Sequence, residues 1–346
     1  MGKNAAMNPA RYLLAPIWLA QLATGAKNFT GNPIIGSRWL NERGLHAARV
    51  KRAHALAARR RARLARLIDP ADREAFDRDG YVEKRDFLPS EIFEQLRASI
   101  YTFAGPAREM VQGDTITRRI ALSPRTLKAI PEARALLRDP QWGGLIRYAG
   151  SFDAEPLTYI QSIISHVREA EPDPQTHFHA DTFHPTVKAW LFLTDVAEDE
   201  GPFCYVPGSH RLTPERLRWE HEMSLKAVGG DVDRLSAKGS FRVSEDELPG
   251  LGLPPPRKFA VPANTLVVGD TFGFHARGPS VRPSVRAEIW AYGRRNPFLP
   301  WTGLDPLSLP GIAERRVPYL WSFRDRWKRF VGQPWKPVGM KSPLER

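Results

Sequence analysis

Between residues 157 and 293 the apolar positions come in short bursts separated by Gly, Pro and acidic turns. The runs "LTYIQSIISHV" (157–167), "VKAWLFLTDV" (187–196), "FCYV" (203–206), "TLVVGD" (265–270) and "RAEIWAYG" (286–293) are rich in β-branched and aromatic residues, a composition that suits strands. Few helical patterns lie between them, so an antiparallel barrel or jelly roll is expected and a doubly wound sheet is not. Upstream, "FDRDGYVEKRDFLPSEIFEQLRASI" (76–100) predicts a short strand over 81–87, then a helix after Pro89-Ser90 with Glu91 and Glu94 in its opening turns. Residues 213–262 interrupt the strands with a helical stretch and the loop "PGLGLPPP"; the length of 214–262 fits a lid or binding insertion. No internal repeat is visible.

The ends of the chain follow another pattern. "GLHAARVKRAHALAARRRARLARLI" (44–68) has no proline and is built from Ala, Leu and Arg, which predicts a helix closed by Asp69-Pro70. At 100° per residue Arg49, Arg60 and Arg63 fall on the side of Leu45, Leu56 and Leu67, so no clean apolar face emerges. The alternatives are a solvated charged helix and a surface that grips phosphates. Before it, "YLLAPIWLAQLATGA" (12–26) contains Pro16, Gln21 and Thr24 and falls short of the ~20 residues of a membrane span. Lys3 and Arg11 ahead of it leave a secretory signal as one reading, an amphipathic element on a membrane face or on the protein as the other. The tail "PYLWSFRDRWKRFVGQPWKP" mixes Trp321, Phe323, Trp327, Phe330 and Trp335 with basic residues, as interfacial segments do; packing of those aromatics on the body is the competing expectation.

Charge sharpens this division. The 346 residues carry a net +13, but residues 1–68 hold 13 Lys and Arg against Glu42 alone, and the tail from Arg294 carries +7, so the middle is acidic. A polyanionic surface, acidic membrane or nucleic acid, therefore suits the ends and not the body. Cys204 is the single cysteine, which excludes an intramolecular disulfide and a cysteine-based zinc cluster and favours a cytoplasmic setting.

Chemistry concentrates in "HFHADTFH" (177–184). His179 and Asp181 are two apart, so on an extended segment their side chains face one point. His275, which follows a predicted strand, is the candidate third ligand of a metal. Two histidines and a carboxylate form a facial triad that leaves three coordination positions open, as in non-haem Fe(II) oxygenases; zinc prefers a closed tetrahedral set. The remaining histidines are less telling. His177 lies on the face of His179 and touches at most its surroundings, His184 precedes a proline in a loop on the substrate side, and His210 ends a Pro-Gly-Ser-His turn. His46, His54, His166 and His221 offer no case.

The opening "FDRDGYVEKRDFLPSE", the run "HADTFHPTVKAWLFLTDVAEDEGPFCYVPGSH" (179–210) and "HARGPSVRPSVR" (275–286) together resemble the phytanoyl-CoA dioxygenase family of Fe(II)- and 2-oxoglutarate-dependent oxygenases. The resemblance spans about 76–298. It implies a mainly β fold with flanking helices and a double-stranded β-helix (jelly roll, cupin-like) core, with iron held by His179, Asp181 and His275. It implies that Arg286, eleven residues after His275, meets the distal carboxylate of 2-oxoglutarate, a task suited to a planar guanidinium fork. Arg282 competes for that role, and the spacing prefers Arg286. Trp190 takes the place of a family tryptophan near the cosubstrate, or serves as core, and Gln161 is a candidate to line the site. Family members that halogenate have Ala or Gly in place of the carboxylate, so Asp181 favours hydroxylation, with O₂ consumed and succinate and CO₂ released.

The expected organisation is a basic helical extension over 1–68 with membrane-surface contact as an option, an oxygenase domain over 69–298, and a basic aromatic extension over 299–346. A small-molecule substrate is expected, and a lipid-like or acyl one if both ends touch the inner face of a membrane. The alternative is a nucleic-acid-binding protein, or nucleic-acid oxygenase, that uses the arginine helix on phosphates. A serine hydrolase or phosphate-loop enzyme lacks its signature in this chain.

Overall fold

The computed structural model describes residues 13–171 and 173–345. Lys3 and Arg11, on which the secretory reading rests, lie outside them. The core is built from eleven strands: β1 Tyr81–Lys84, β2 Gly105–Gln112, β3 Thr115–Ala121, β4 Leu157–Ile164, β5 Val187–Phe192, β6 Phe203–Tyr205, β7 Arg257–Phe259, β8 Leu266–Asp270, β9 His275–Arg277, β10 Val285–Gly293 and β11 Lys336–Lys341. Eight form one antiparallel sheet in the order β1-β8-β5-β10-β4-β3-β2-β11, and β7-β6-β9 form a smaller sheet. This is the mainly β jelly roll with flanking helices that the burst pattern predicted.

Alternation along the central strands sorts side chains between two layers. In β10, Ala287, Ile289 and Ala291 turn outward; Ile289 sits between Ile160 of β4 and Leu191 of β5 in register. That face is covered by helices Ser90–Thr102 and Pro140–Gly150, whose Phe93, Leu96, Ile100, Trp142 and Ile146 complete the main core. The residues between, Arg286, Glu288, Trp290 and Tyr292, turn inward toward the small sheet, where Trp190 and Trp290 share a second core with Phe203 and Phe259. A strand apolar on one side and polar or aromatic on the other thus separates a packed layer from a cavity.

Helix Leu45–Leu64 packs on the body, and several of its arginines turn inward. Arg60, 1 % exposed, donates to the carbonyls of Ser151, Pro297 and Leu299. Arg61 reaches Asp270 at 2.7 Å. Arg49 donates to the carbonyls of Leu22, Thr24 and Ala26 at 3.2, 2.9 and 2.7 Å, and burial lowers its pKa to about 10. Arginines scattered round this helix therefore stitch loops to the barrel. Its other neighbour is helix Pro214–Gly229, where Glu220 is buried between His46 (2.8 Å) and Arg216 (3.1 Å). The tail divides: Trp321 is buried and β11 extends the large sheet beside β2, whereas Phe323, Trp327 and Phe330 are exposed. Among the described residues no helix is long and apolar enough to cross a membrane.

Candidate metal centre

His179 lies on an irregular segment held by single bridges to Arg242 on one side and His275 on the other. Asp181, two residues on, is fixed by its amide, which donates to the Thr271 carbonyl at 2.9 Å. His275 opens β9. Two segments distant in sequence thereby bring His179, Asp181 and His275 together, with their ligand-type atoms all within 4.8 Å of one another.

The protonation of the two rings follows from their partners. Nδ1 of His179 faces the His177 carbonyl at 2.8 Å, and Nδ1 of His275 faces the Gly273 carbonyl at 2.9 Å. A carbonyl oxygen only accepts, so each Nδ1 carries a hydrogen and each Nε2 is left facing Asp181, 3.7 and 3.6 Å from Oδ1. Burial, with the His275 ring beside it, holds His179 well below the usual histidine range. Burial resists ionisation of Asp181, but Lys188 and the two histidines outweigh it and hold the carboxyl well below its ordinary value. Asp181 Oδ2 lies 2.8 Å from Lys188 Nζ yet has no hydrogen bond of acceptable geometry. Two imidazoles that present Nε2, one ionised carboxylate and an under-satisfied oxygen suit a divalent cation.

The triad lines a cavity of about 430 Å³ between the two sheets. Trp190, Gln161 and Arg286 line it too, so all six candidates from the sequence converge. Trp190 stacks on Phe203 at 4.1 Å between ring centroids. Gln161 bridges two charged groups: its Oε1 accepts from Arg119 Nε at 2.7 Å and its Nε2 donates to Glu288 at 2.6 Å. Glu288, fully buried, also accepts from Arg286 Nε at 3.0 Å, and Arg286 Nη1 donates to the Gly201 carbonyl. The Nη2 side of the fork has no protein partner among the described residues. Arg282 is exposed and pairs with Asp199 and Glu200 away from the cavity. His177 contributes a carbonyl and not a ring. His184 and His210 are buried, each with one ring nitrogen lacking a partner among the described residues, and line no part of the cavity.

Several lining residues escaped the sequence reading. Lys188 is one, 3.2 Å from His275 Nε2; its place two residues before Trp190 puts it on the same strand face, a signal that was present. Arg119 lies between the rings of Trp290 and Trp335, 4.0 and 4.4 Å from their centroids, and burial brings its pKa to about 10. Lys27, from the amino-terminal extension, donates to the Asp181 carbonyl, and burial lowers its pKa to about 8 against the pull of Asp181. Nothing in the local sequence marks it.

Residues 76–235 match the phytanoyl-CoA dioxygenase family model. Among solved structures, the chain is similar to the epimerase SnoN in complex with Fe3+, alpha ketoglutarate and nogalamycin RO: 19 % identity, 67 % of this chain and 83 % of that one covered, TM-score 0.39. HygX from Streptomyces hygroscopicus, with nickel and 2-oxoglutarate bound, is similar at 19 % identity over 65 % of this chain and 87 % of its own, TM-score 0.39. EctD from S. alaskensis with bound Fe follows at 16 % identity, 72 % and 85 % coverage, TM-score 0.38. No curated protein sequence matches the chain.

Proposed function

We propose that this member of the phytanoyl-CoA dioxygenase family, an iron(II)- and 2-oxoglutarate-dependent oxygenase, hydroxylates an unactivated C–H bond of a small-molecule substrate. The observation that carries the reading is the convergence of His179, Asp181 and His275 on a cavity that also holds Arg286. His179 and His275 would hold the metal through Nε2 and Asp181 through its carboxylate, leaving positions open for cosubstrate and O₂. Arg286 would receive the distal carboxylate of 2-oxoglutarate on its free Nη2 side, while Glu288 and Gly201 keep the fork in place. Trp190 and Phe203 wall the cavity and limit water. When bound, iron and 2-oxoglutarate would let O₂ serve as the oxidant: one oxygen atom would convert C–H to C–OH, and the other would enter succinate as 2-oxoglutarate loses CO₂. Asp181 fills the position that a halide would need, which favours hydroxylation over halogenation.

Anaerobic titration with Fe(II) and 2-oxoglutarate tests this: a weak visible charge-transfer band of the chelated keto acid is expected in the native chain. Iron binding without the band would remove the cosubstrate assignment, and failure to bind iron would remove the centre itself.

A second reading concerns the ends. Exposed Phe323, Trp327 and Phe330 beside exposed Arg326, Lys328 and Arg329 favour peripheral contact with an anionic membrane, hence a lipid-like or acyl substrate. The nucleic-acid alternative loses support because Arg49, Arg60 and Arg61 are spent on the protein's own carbonyls and Asp270.

A further inference from the structure

Six cationic side chains line the cavity of the triad: Lys27, Arg119, Lys188, Arg277, Arg286 and Arg294. Against them stand Asp181 in the wall and two carboxylates behind it, Asp173 paired with Arg277 and Glu288 paired with Arg286. A surplus of three positive charges remains. A divalent metal and a dianionic cosubstrate cancel each other, so their arrival leaves the surplus unchanged. Like charges gathered around one cavity repel each other until a counterion arrives, and among the described residues no further carboxylate faces them.

The uncompensated groups are not equivalent. Arg119 is locked by Gln161 and the two tryptophan rings. Lys27 and Arg294 have no acidic partner among the described residues and meet at one rim. Arg294 Nη2 donates to the Gly25 carbonyl at 2.7 Å, two residues from Lys27. The loop that carries Lys27 is built with care for a segment outside the family match: Arg49 holds its carbonyls, Asn296 donates to the Ala23 carbonyl at 2.9 Å, and the Phe29 amide bonds to the Ala237 carbonyl at 3.2 Å. Gly239, at φ +82°, lies so close that an added Cβ would stand 2.2 Å from the Lys27 carbonyl oxygen. Such fixation presents an ammonium to the cavity at little further entropic cost.

We propose that the substrate carries an acidic group, carboxylate or phosphate, held at the cavity rim by Lys27 and Arg294. The inference rests on the oxygenase reading and adds to it: the amino-terminal extension completes the active site and selects an anion.

Binding to the Fe(II)- and 2-oxoglutarate-loaded full chain, kept anaerobic, tests it through perturbation of the visible band by octanoate, octyl phosphate and octanol. At least one of the two anions should bind while octanol does not; which one binds identifies carboxylate or phosphate. Lys27→Met should weaken that binding by about tenfold or more, and Lys27→Arg should restore most of it, with the unperturbed band and thermal midpoint showing an intact centre. Equal binding of octanol, binding of neither anion, or unaltered affinity in Lys27→Met overturns the proposal. Absence of the band from the native chain would instead overturn the oxygenase reading.

Discussion

His179 and His275 are each other's backbone partners: the amide of each donates to the carbonyl of the other at 3.0 Å. The separation of the two rings, 4.5 Å between centroids, is therefore set by main-chain pairing and not by side-chain packing. Alanine retains the amide and carbonyl. His179→Ala and His275→Ala should each abolish the Fe(II)/2-oxoglutarate band while circular dichroism and thermal midpoint stay near native. A chain that unfolds on either substitution would show that the rings hold the fold.

Arg286 and Glu288 form a buried pair, so changing one strands the other. Arg286→Gln should weaken 2-oxoglutarate binding by about tenfold or more and destabilise the fold by roughly 3 kcal/mol, because Glu288 keeps only Gln161 as a donor. Adding Glu288→Gln should recover stability but not cosubstrate affinity. Denaturant titration and cosubstrate titration of the single and double variants separate the two effects; recovery of both would mean that Arg286 only neutralises Glu288.

Arg60 is the clearest case of an arginine whose role the sequence hid. At 1 % exposure it makes hydrogen bonds to three main-chain carbonyls, so Arg60→Met leaves those acceptors unpaired in the interior. A loss of about 3 kcal/mol in denaturant unfolding is expected. A change under about 0.5 kcal/mol would mean that the helix is loosely attached.

The contrast between Arg60 and His179 explains what could be read in advance. The triad was legible because His-x-Asp is a local pattern, and β4, β5, β8 and β10 were legible because period-two alternation is local as well. Strands β2 and β3 were missed: "GPAREMVQ" and "TITRRIA" carry charged residues that a strand lining a polar cavity accepts but a core pattern excludes. Even in β3, Arg119 points to the site. Strand β9 has three residues and owes its existence to the His179 bridge and to β6. Lys27 reaches the site from 154 positions before Asp181, a relation that only tertiary folding creates.

The acid limb of the stability profile should come in part from two buried histidines. Burial, reinforced by nearby guanidinium groups, lowers both His184 and His210 to about 3. Their unfolded values lie near ~6.5, so between these limits the unfolded chain binds more protons and stability falls as pH falls. Above about pH 7 the contribution is fully present. The thermal midpoint should drop between pH 7 and pH 4.5, and His210→Gln should reduce that slope. An unchanged slope would mean that His210 protonates in the folded state.

The exposed tail supplies the last test. Phe330 is 81 % exposed and Trp327 45 %, with Lys328 and Arg329 between them, so apolar and cationic contacts with an anionic bilayer would form together. Each cation near such a surface contributes about 1 kcal/mol, and a buried aromatic ring about 1.5–3 kcal/mol. Sedimentation with phosphatidylserine-containing vesicles should show salt-sensitive binding, weakened at least about tenfold by the double change Trp327→Ala and Phe330→Ala. The apolar loss does not depend on salt, so the double variant should stay weaker at every ionic strength. Stronger retention on duplex DNA than on vesicles, or vesicle binding indifferent to both rings, would return the basic ends to the nucleic-acid reading.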